Sequence, residues 1–139
     1  MSGIIFFEED ARYRLQDKKM LIRKIKKLID LEGFTLVSIS IVVCSDNYLL
    51  DMNKKYLKHN YFTDILTFDQ SEIKKDIEGD LYISIDRIKE NAALNKTTQW
   101  SEFQRVVLHG VLHLVGYNDQ NNKEKAIMRE KENFYLAFS

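Results

Sequence analysis

Proline is absent from this 139-residue chain, and only five glycines punctuate it. Nothing in it reads as a low-complexity linker, and no internal repeat is visible. The length fits one domain over residues 1–139. There is one cysteine, so no intramolecular disulfide can form; Cys44, in the apolar run Ile39–Ser45, is expected as a small buried hydrophobe in a reducing, cytoplasmic setting. Neither sign of charge is in excess, because 21 Lys and Arg offset 21 Asp and Glu. Any binding to a polyanion must then come from local patches. No apolar run approaches the roughly 18 residues of a membrane span. The short run Ile4–Phe7 has no basic residues ahead of it and stops at Glu8-Glu9-Asp10, unlike a signal peptide.

What is present is hydrophobic periodicity. Ile4–Phe7 reads as a strand, and residues 17–32 as a helix with Leu21, Ile25, Leu28 and Ile29 on one face, stopped by Gly33. Leu36–Val43 is a Val- and Ile-rich strand. Ser45 or Asp46 can cap a helix carrying Leu49, Leu50, Met52, Tyr56 and Leu57. Asp64–Phe68 and, after a turn at Gly79, Asp80–Ile85 are two further strands. Ser84 or Asp86 caps a helix to Leu94, and Thr98 or Ser101 caps the next. Asn121 or Asn122 opens a last helix with Ile127, Met128 and Phe134. Strands and helices alternate loosely, and the last two helices fall outside any strand repeat. The expected class is α+β: a single mixed sheet of about four strands packed with helices.

The informative segment is His109-Gly110-Val111-Leu112-His113-Leu114-Val115-Gly116-Tyr117-Asn118-Asp119. It holds two of the chain's three histidines. In a helix, positions four apart share a face, so both imidazoles can reach one ion. Gly116 can end the helix in a left-handed conformation and turn Asp119 back as a third ligand. Three protein ligands with an open position describe a catalytic metal site. The helix is apolar almost all round, so it is expected to be buried, and buried imidazoles need partners. The segment resembles the zincin signature, in which a glutamate after the first histidine is the proteolytic base. Here that position is Gly110, which should leave the floor of the site open; the metal-binding spacing is kept and the peptidase base is missing.

The same segment resembles the signature H-G-x-L-H-L-x-G-Y-D-H of the YbeY family, described as metal-dependent single-strand endoribonucleases of ribosomal RNA maturation. Asn53-Lys54-Lys55-Tyr56 is similar to the family's N-x-x-Y, Thr63–Phe68 to T-D-V-L-S-F, and Gly79–Ser84 to G-D-I-x-I-S. Glu124, Met128 and Glu132 fall on E-x-x-x-M-x-x-x-E. The resemblance covers residues 35–135. It implies a metal-dependent endoribonuclease with a zincin-like metal helix, whose ligands are His109, His113 and, in place of the family's third histidine, Asp119. Aspartate is an acceptable zinc ligand, and an anionic one favours harder ions such as Mn2+. A second departure is Leu57, where the family has arginine. If that arginine serves phosphate, Lys58 must substitute, without the bidentate fork.

Other residues carry weaker expectations. Lys55 and Lys58 are candidates for positioning an RNA backbone. Asp64 and Asp80 are candidates for orienting a ligand histidine. Arg12, Arg14, Lys18, Lys19, Arg23, Lys24, Lys26 and Lys27 form a basic run that reads first as a solvated helix face and second as a phosphate-tracking surface. Tyr61 and Tyr117 could stack bases; Tyr56 and Phe62 are expected in the core, with Trp100 stapled into it and His59 on a surface loop. The leading expectation is a Zn2+ or Mn2+ hydrolase acting on single-stranded or ribosomal RNA, with the ribosomal subunit as a possible partner and no membrane. The rivals are a ribosome-assembly factor with a non-catalytic metal site and a hydrolase, peptidase-like, on another substrate.

Overall fold

The computed structural model describes residues 3–138. Four strands, β1 (Ile4–Glu8), β2 (Thr35–Cys44), β3 (Ile65–Asp69) and β4 (Asp76–Ser84), form one mixed sheet in the order β1-β2-β4-β3. β1, β2 and β4 run parallel, and β3 closes one edge antiparallel to β4. Five helices complete the α+β architecture: α1 (Lys18–Leu31), α2 (Asp46–Leu57), α3 (Ile85–Leu94), α4 (Gln99–Leu114) and α5 (Asn122–Leu136).

Each helix begins where a polar side chain replaces a missing backbone acceptor. Asp17, Ser45, Ser84, Thr98 and Asn121 each accept a hydrogen bond from the backbone N–H three residues on. Alternation along the strands then sorts residues between two faces. Ile39, Ile41 and Val43 on β2 register with Gly79, Leu81 and Ile83 on β4, and this face joins the main core. α1 contributes Leu21, Ile25, Leu28 and Ile29 to that core, and α4 contributes Phe103, Val107, Leu108, Val111 and Leu112. The opposite face carries a smaller cluster of Cys44, Leu49 and Leu66, with Tyr82 and Phe68 against it, under α2. Cys44 is fully buried, and burial pushes its thiol up to about 12. It is the inert hydrophobe expected.

Three expectations are corrected. β4 starts at Asp76 rather than Asp80, so Gly79 lies inside a strand and not in a turn. The residue there must be small, because a Cβ would lie 2.7 Å from the Phe68 carbonyl oxygen and 3.0 Å from Leu114. Tyr56 and Phe62 are exposed rather than in the core. The last turn of α2 runs past its buried patch, leaving Tyr56 edge-on to Phe68; Phe62, in the following loop, lies beneath the Arg87 guanidinium. Lys24 belongs to no solvated basic face: it is buried, with Nζ donating to Gln104 Oε1 at 2.7 Å. The other cations of that run are exposed.

Candidate metal centre

α4 is buried on nearly every side, between the sheet and α1, α3 and α5. Gly110 lets it approach the sheet. A Cβ at that position would meet Ile65 Cδ1 at 2.7 Å and Leu81 Cδ2 at 3.0 Å. The glycine therefore serves close helix-to-sheet packing; it does not open the floor of a site. In the second half of the helix, from Val106 to Leu114, His109 and His113 alone are half-buried. They face a cleft of about 580 Å3 walled by β3 (Ile65, Leu66, Thr67), the end of α2 (Asn53, Leu57) and the loop bearing His59, Tyr61 and Asp64.

The chain then reverses. Gly116 takes φ +105°, the Gly116 N–H donates to the His113 carbonyl and the Tyr117 N–H to the Leu112 carbonyl, both at 3.0 Å. This paired closure needs a residue tolerant of positive φ at Gly116. It has two results. The Tyr117 carbonyl comes to 2.9 Å from His113 Nδ1, and Asp119 returns to the cleft with Oδ2 at 3.2 Å from His109 Nε2 and 3.5 Å from His113 Nε2.

The tautomers follow. A backbone carbonyl can only accept, so His113 Nδ1 carries a proton. His109 Nδ1 lies 2.6 Å from Glu132 Oε2 and is likewise the donor. Each neutral ring then turns a lone pair on Nε2 inward. The two Nε2 atoms are 3.0 Å apart, with the Asp119 carboxylate beside them. Three electron-pair donors converge and require something positive between them. A proton can serve: burial pulls the His109 imidazole down, but its hydrogen bond to Glu132 and the charges of Glu132, Asp119 and Asp64 outweigh burial and hold it above its ordinary value. A divalent ion fits as well. Ligand bonds of about 2.0–2.1 Å in a tetrahedron put donor atoms about 3.3 Å apart. The observed separations of 3.0, 3.2 and 3.5 Å bracket that value. The cluster can hold a metal ion.

The sequence profile described as Endoribonuclease YbeY matches residues 6–138. The chain belongs to the YbeY endoribonuclease family. It is similar to the Endoribonuclease YbeY of Cytophaga hutchinsonii, with 46% identity over 96% of this chain and 94% of that one. With that of Amoebophilus asiaticus it shares 42% identity over 97% of this chain and 92% of the other. A protein of Thermotoga maritima with a solution structure has the same fold at TM-score 0.65 and 27% identity, covering 96% of this chain and 86% of that one.

Within this chain, some of the expected site residues meet and others do not. His109, His113 and Asp119 converge. Asp64 lines the same cleft; burial pushes its carboxyl up, partly offset by nearby His109 and by the backbone N–H groups of residues 64 and 65. It makes no hydrogen bond to either histidine ring, whose Nδ1 atoms are taken by Glu132 and Tyr117. Asp80 is elsewhere. It registers with Phe68 and Ser40, on the sheet face turned away from α4, and accepts from Gln70 Nε2 at 2.6 Å. Period-two alternation excludes it from orienting a histidine. Lys58 ends α2 in the left-handed conformation and is exposed, while Lys55 lies over the Tyr56 ring. Neither is among the residues lining the cleft. Tyr117 does not offer a stacking face, because its hydroxyl donates to Glu32 and Lys131 Nζ sits over its ring.

The sequence reading missed the carboxylate that orients His109. Glu132 is 5% exposed and also accepts from Arg105 Nη1 at 2.9 Å. Burial pushes its carboxyl up, but the hydrogen bonds and charges of His109 and Arg105 prevail and hold it below the ordinary range. A signal was present: Met128, Glu132 and Tyr135 share the buried face of α5, and an acid at core spacing demands a partner.

Proposed function

We propose that this chain is a metal-dependent endoribonuclease of ribosomal RNA processing, cutting single-stranded RNA in the cleft between α4 and β3. One ion would be held by His109, His113 and Asp119, with Zn2+ the first assignment and Mn2+ the alternative given the anionic third ligand. The observation that carries the reading is the convergence of three lone-pair donors whose tautomers are fixed from behind. Family membership supplies the ribonuclease activity.

A divalent ion at this point supplies Lewis acidity to a phosphoryl oxygen. The chain's own residues do the rest. Glu132 and the Tyr117 carbonyl keep both rings in the donor tautomer. Asp64 and Asp69 are the carboxylates lining the cleft outside the ligand cluster; Asp69 is exposed, whereas burial pushes the Asp64 carboxyl up, and we assign Asp64 the proton of the attacking water. Lys55 and Lys58, on the outer end of α2, would meet the RNA backbone beyond the cleft. Association with a ribosomal subunit would bring the substrate to it. A peptidase reading loses support from Gly110, since the position where the zincin signature puts its base is packed against Ile65 and Leu81.

The test is cleavage of a single-stranded oligoribonucleotide by chelator-stripped protein with each metal restored. Wild type should cut it, and should spare the same sequence in a duplex. His113→Ala should lose at least about 100-fold in rate, of the order seen when an essential electrostatic element is removed. Intact RNA after incubation with metal-loaded wild type would sink the nuclease reading.

A further inference from the structure

Outside the ligand cluster, a polar network is centred on Glu32, at the end of α1. Its Oε1 accepts from the Tyr117 hydroxyl at 2.7 Å, and its Oε2 accepts from Lys131 Nζ at 3.0 Å and from the Tyr135 hydroxyl. The glutamate side chain is 14% exposed, and Tyr135 is among the largest fully buried side chains. Burial alone would push the Glu32 carboxyl up; the bonds from Tyr135, Tyr117 and Lys131 reverse the sign and hold it below its ordinary value.

The network has an output. Tyr117 is gripped at its hydroxyl by Glu32 and on its ring by Lys131, with Nζ at 5.5 Å from the centroid. Its carbonyl is the acceptor for His113 Nδ1, and it lies two residues before Asp119. The grip on the side chain thus fixes a carbonyl that sets one ligand ring, in the turn that delivers another ligand. The same helix serves both histidines: Glu132 holds His109, while its neighbours Lys131 and Tyr135 hold Glu32.

We infer that Glu32 is a positioning residue for the metal centre, acting on His113 and Asp119 through Tyr117. It touches no ligand itself. The inference rests on the reading that His109, His113 and Asp119 hold the ion, and its test separates the two.

Two variants suffice. Tyr117→Phe removes one hydroxyl and leaves the carbonyl in the chain; Glu32→Gln keeps the size and removes the charge. The first readout is hydrogen exchange of the His113 Nδ1–H in metal-free protein, followed by 15N–1H spectra of labelled imidazole. Wild type should exchange slowly, and both variants several-fold faster. The second is titration with Co2+, read by its d–d absorption. Each variant should bind roughly 10-fold more weakly, in the range expected for removing support behind a ligand. The double variant should fall short of the product of the two, as members of one network do. Loss of thermal stability with wild-type exchange and wild-type Co2+ affinity would mean a scaffold role only and would overturn the inference. If wild type took up no Co2+, the ligand assignment would fail, and exchange in metal-free protein would still decide: acceleration supports a positioning role and its absence refutes one. Should Glu32→Gln not fold, Tyr117→Phe decides alone.

Discussion

Glu132 divides its two oxygens between partners of different kinds, the His109 ring on one and the Arg105 guanidinium on the other. An amide cannot accept at both ends. Glu132→Gln should therefore weaken metal binding about 10- to 100-fold, measured by competition with a chromogenic chelator. Gly110 presents the opposite problem, a residue whose value is its lack of a side chain. Gly110→Ala should cost about 1–3 kcal/mol by overpacking against Ile65 and Leu81, seen as a lower denaturation midpoint. At this scale the convergence of His109, His113 and Asp119 was legible, because a helix fixes which residues share a face and Gly116 marks the reversal. The supports behind them were not. Glu132 lies 23 positions from His109, and Glu32 lies 85 from Tyr117. No local pattern reports such a pairing; only an acid at core spacing hints that a partner exists.

Among the elements, α4 bears the most consequence, since it is both the centre of the core and the carrier of both histidines. Its start depends on Thr98, whose hydroxyl accepts from the Ser101 N–H at 3.0 Å. Thr98→Ala should cost about 1 kcal/mol, measured by chemical denaturation, and leave the metal affinity unchanged because the cap lies three turns from the histidines. The junction of α1 with α5 carries a pH dependence. Glu32 has its folded value depressed below the ordinary 4.5. A depressed carboxylate contributes stability that is complete above the unfolded value and is lost as pH falls through the folded one. Wild type should thus exceed Glu32→Gln by about 1–3 kcal/mol near neutrality. The gap should begin to close below about pH 4.5, as paired denaturation curves would show. The elements themselves were largely readable from capping residues and periodicity. The start of β4 was not, because a glycine inside a strand looks locally like a turn, and its contact with the Phe68 carbonyl is a fact of the neighbouring strand.

For the whole molecule, strand order decides what can reach the centre. Placing β3 antiparallel at the edge puts Ile65 and Thr67 on the cleft side, and Phe68 with Asp80 on the far side. A reading of local motifs assigns Asp64 and Asp80 to equivalent roles; the sheet separates them. Asp80→Asn should therefore leave ribonuclease kcat within about twofold of wild type, while Asp64→Asn should lower it by 100-fold or more, on the order of a lost general base. Parallel single-turnover assays on one RNA would compare them. No helix among the described residues is long and apolar enough to cross a membrane.

The position of α5 has a consequence in time. α4 leaves the ribosome before α5, and Tyr135 lies about 20 residues beyond the end of α4. At a synthesis rate of about 5–20 residues per second, on the order of 1–4 s separate the synthesis of His113 from that of Glu132, Lys131 and Tyr135. Until α5 docks, His109 Nδ1 lacks its carboxylate partner, and Glu32, which holds Tyr117, lacks two of its three donors. The support behind the cluster of His109, His113 and Asp119 is thereby complete only once α5 docks, so a chain that has folded only as far as α4 has little means of becoming an active nuclease beside the RNA of the ribosome that made it.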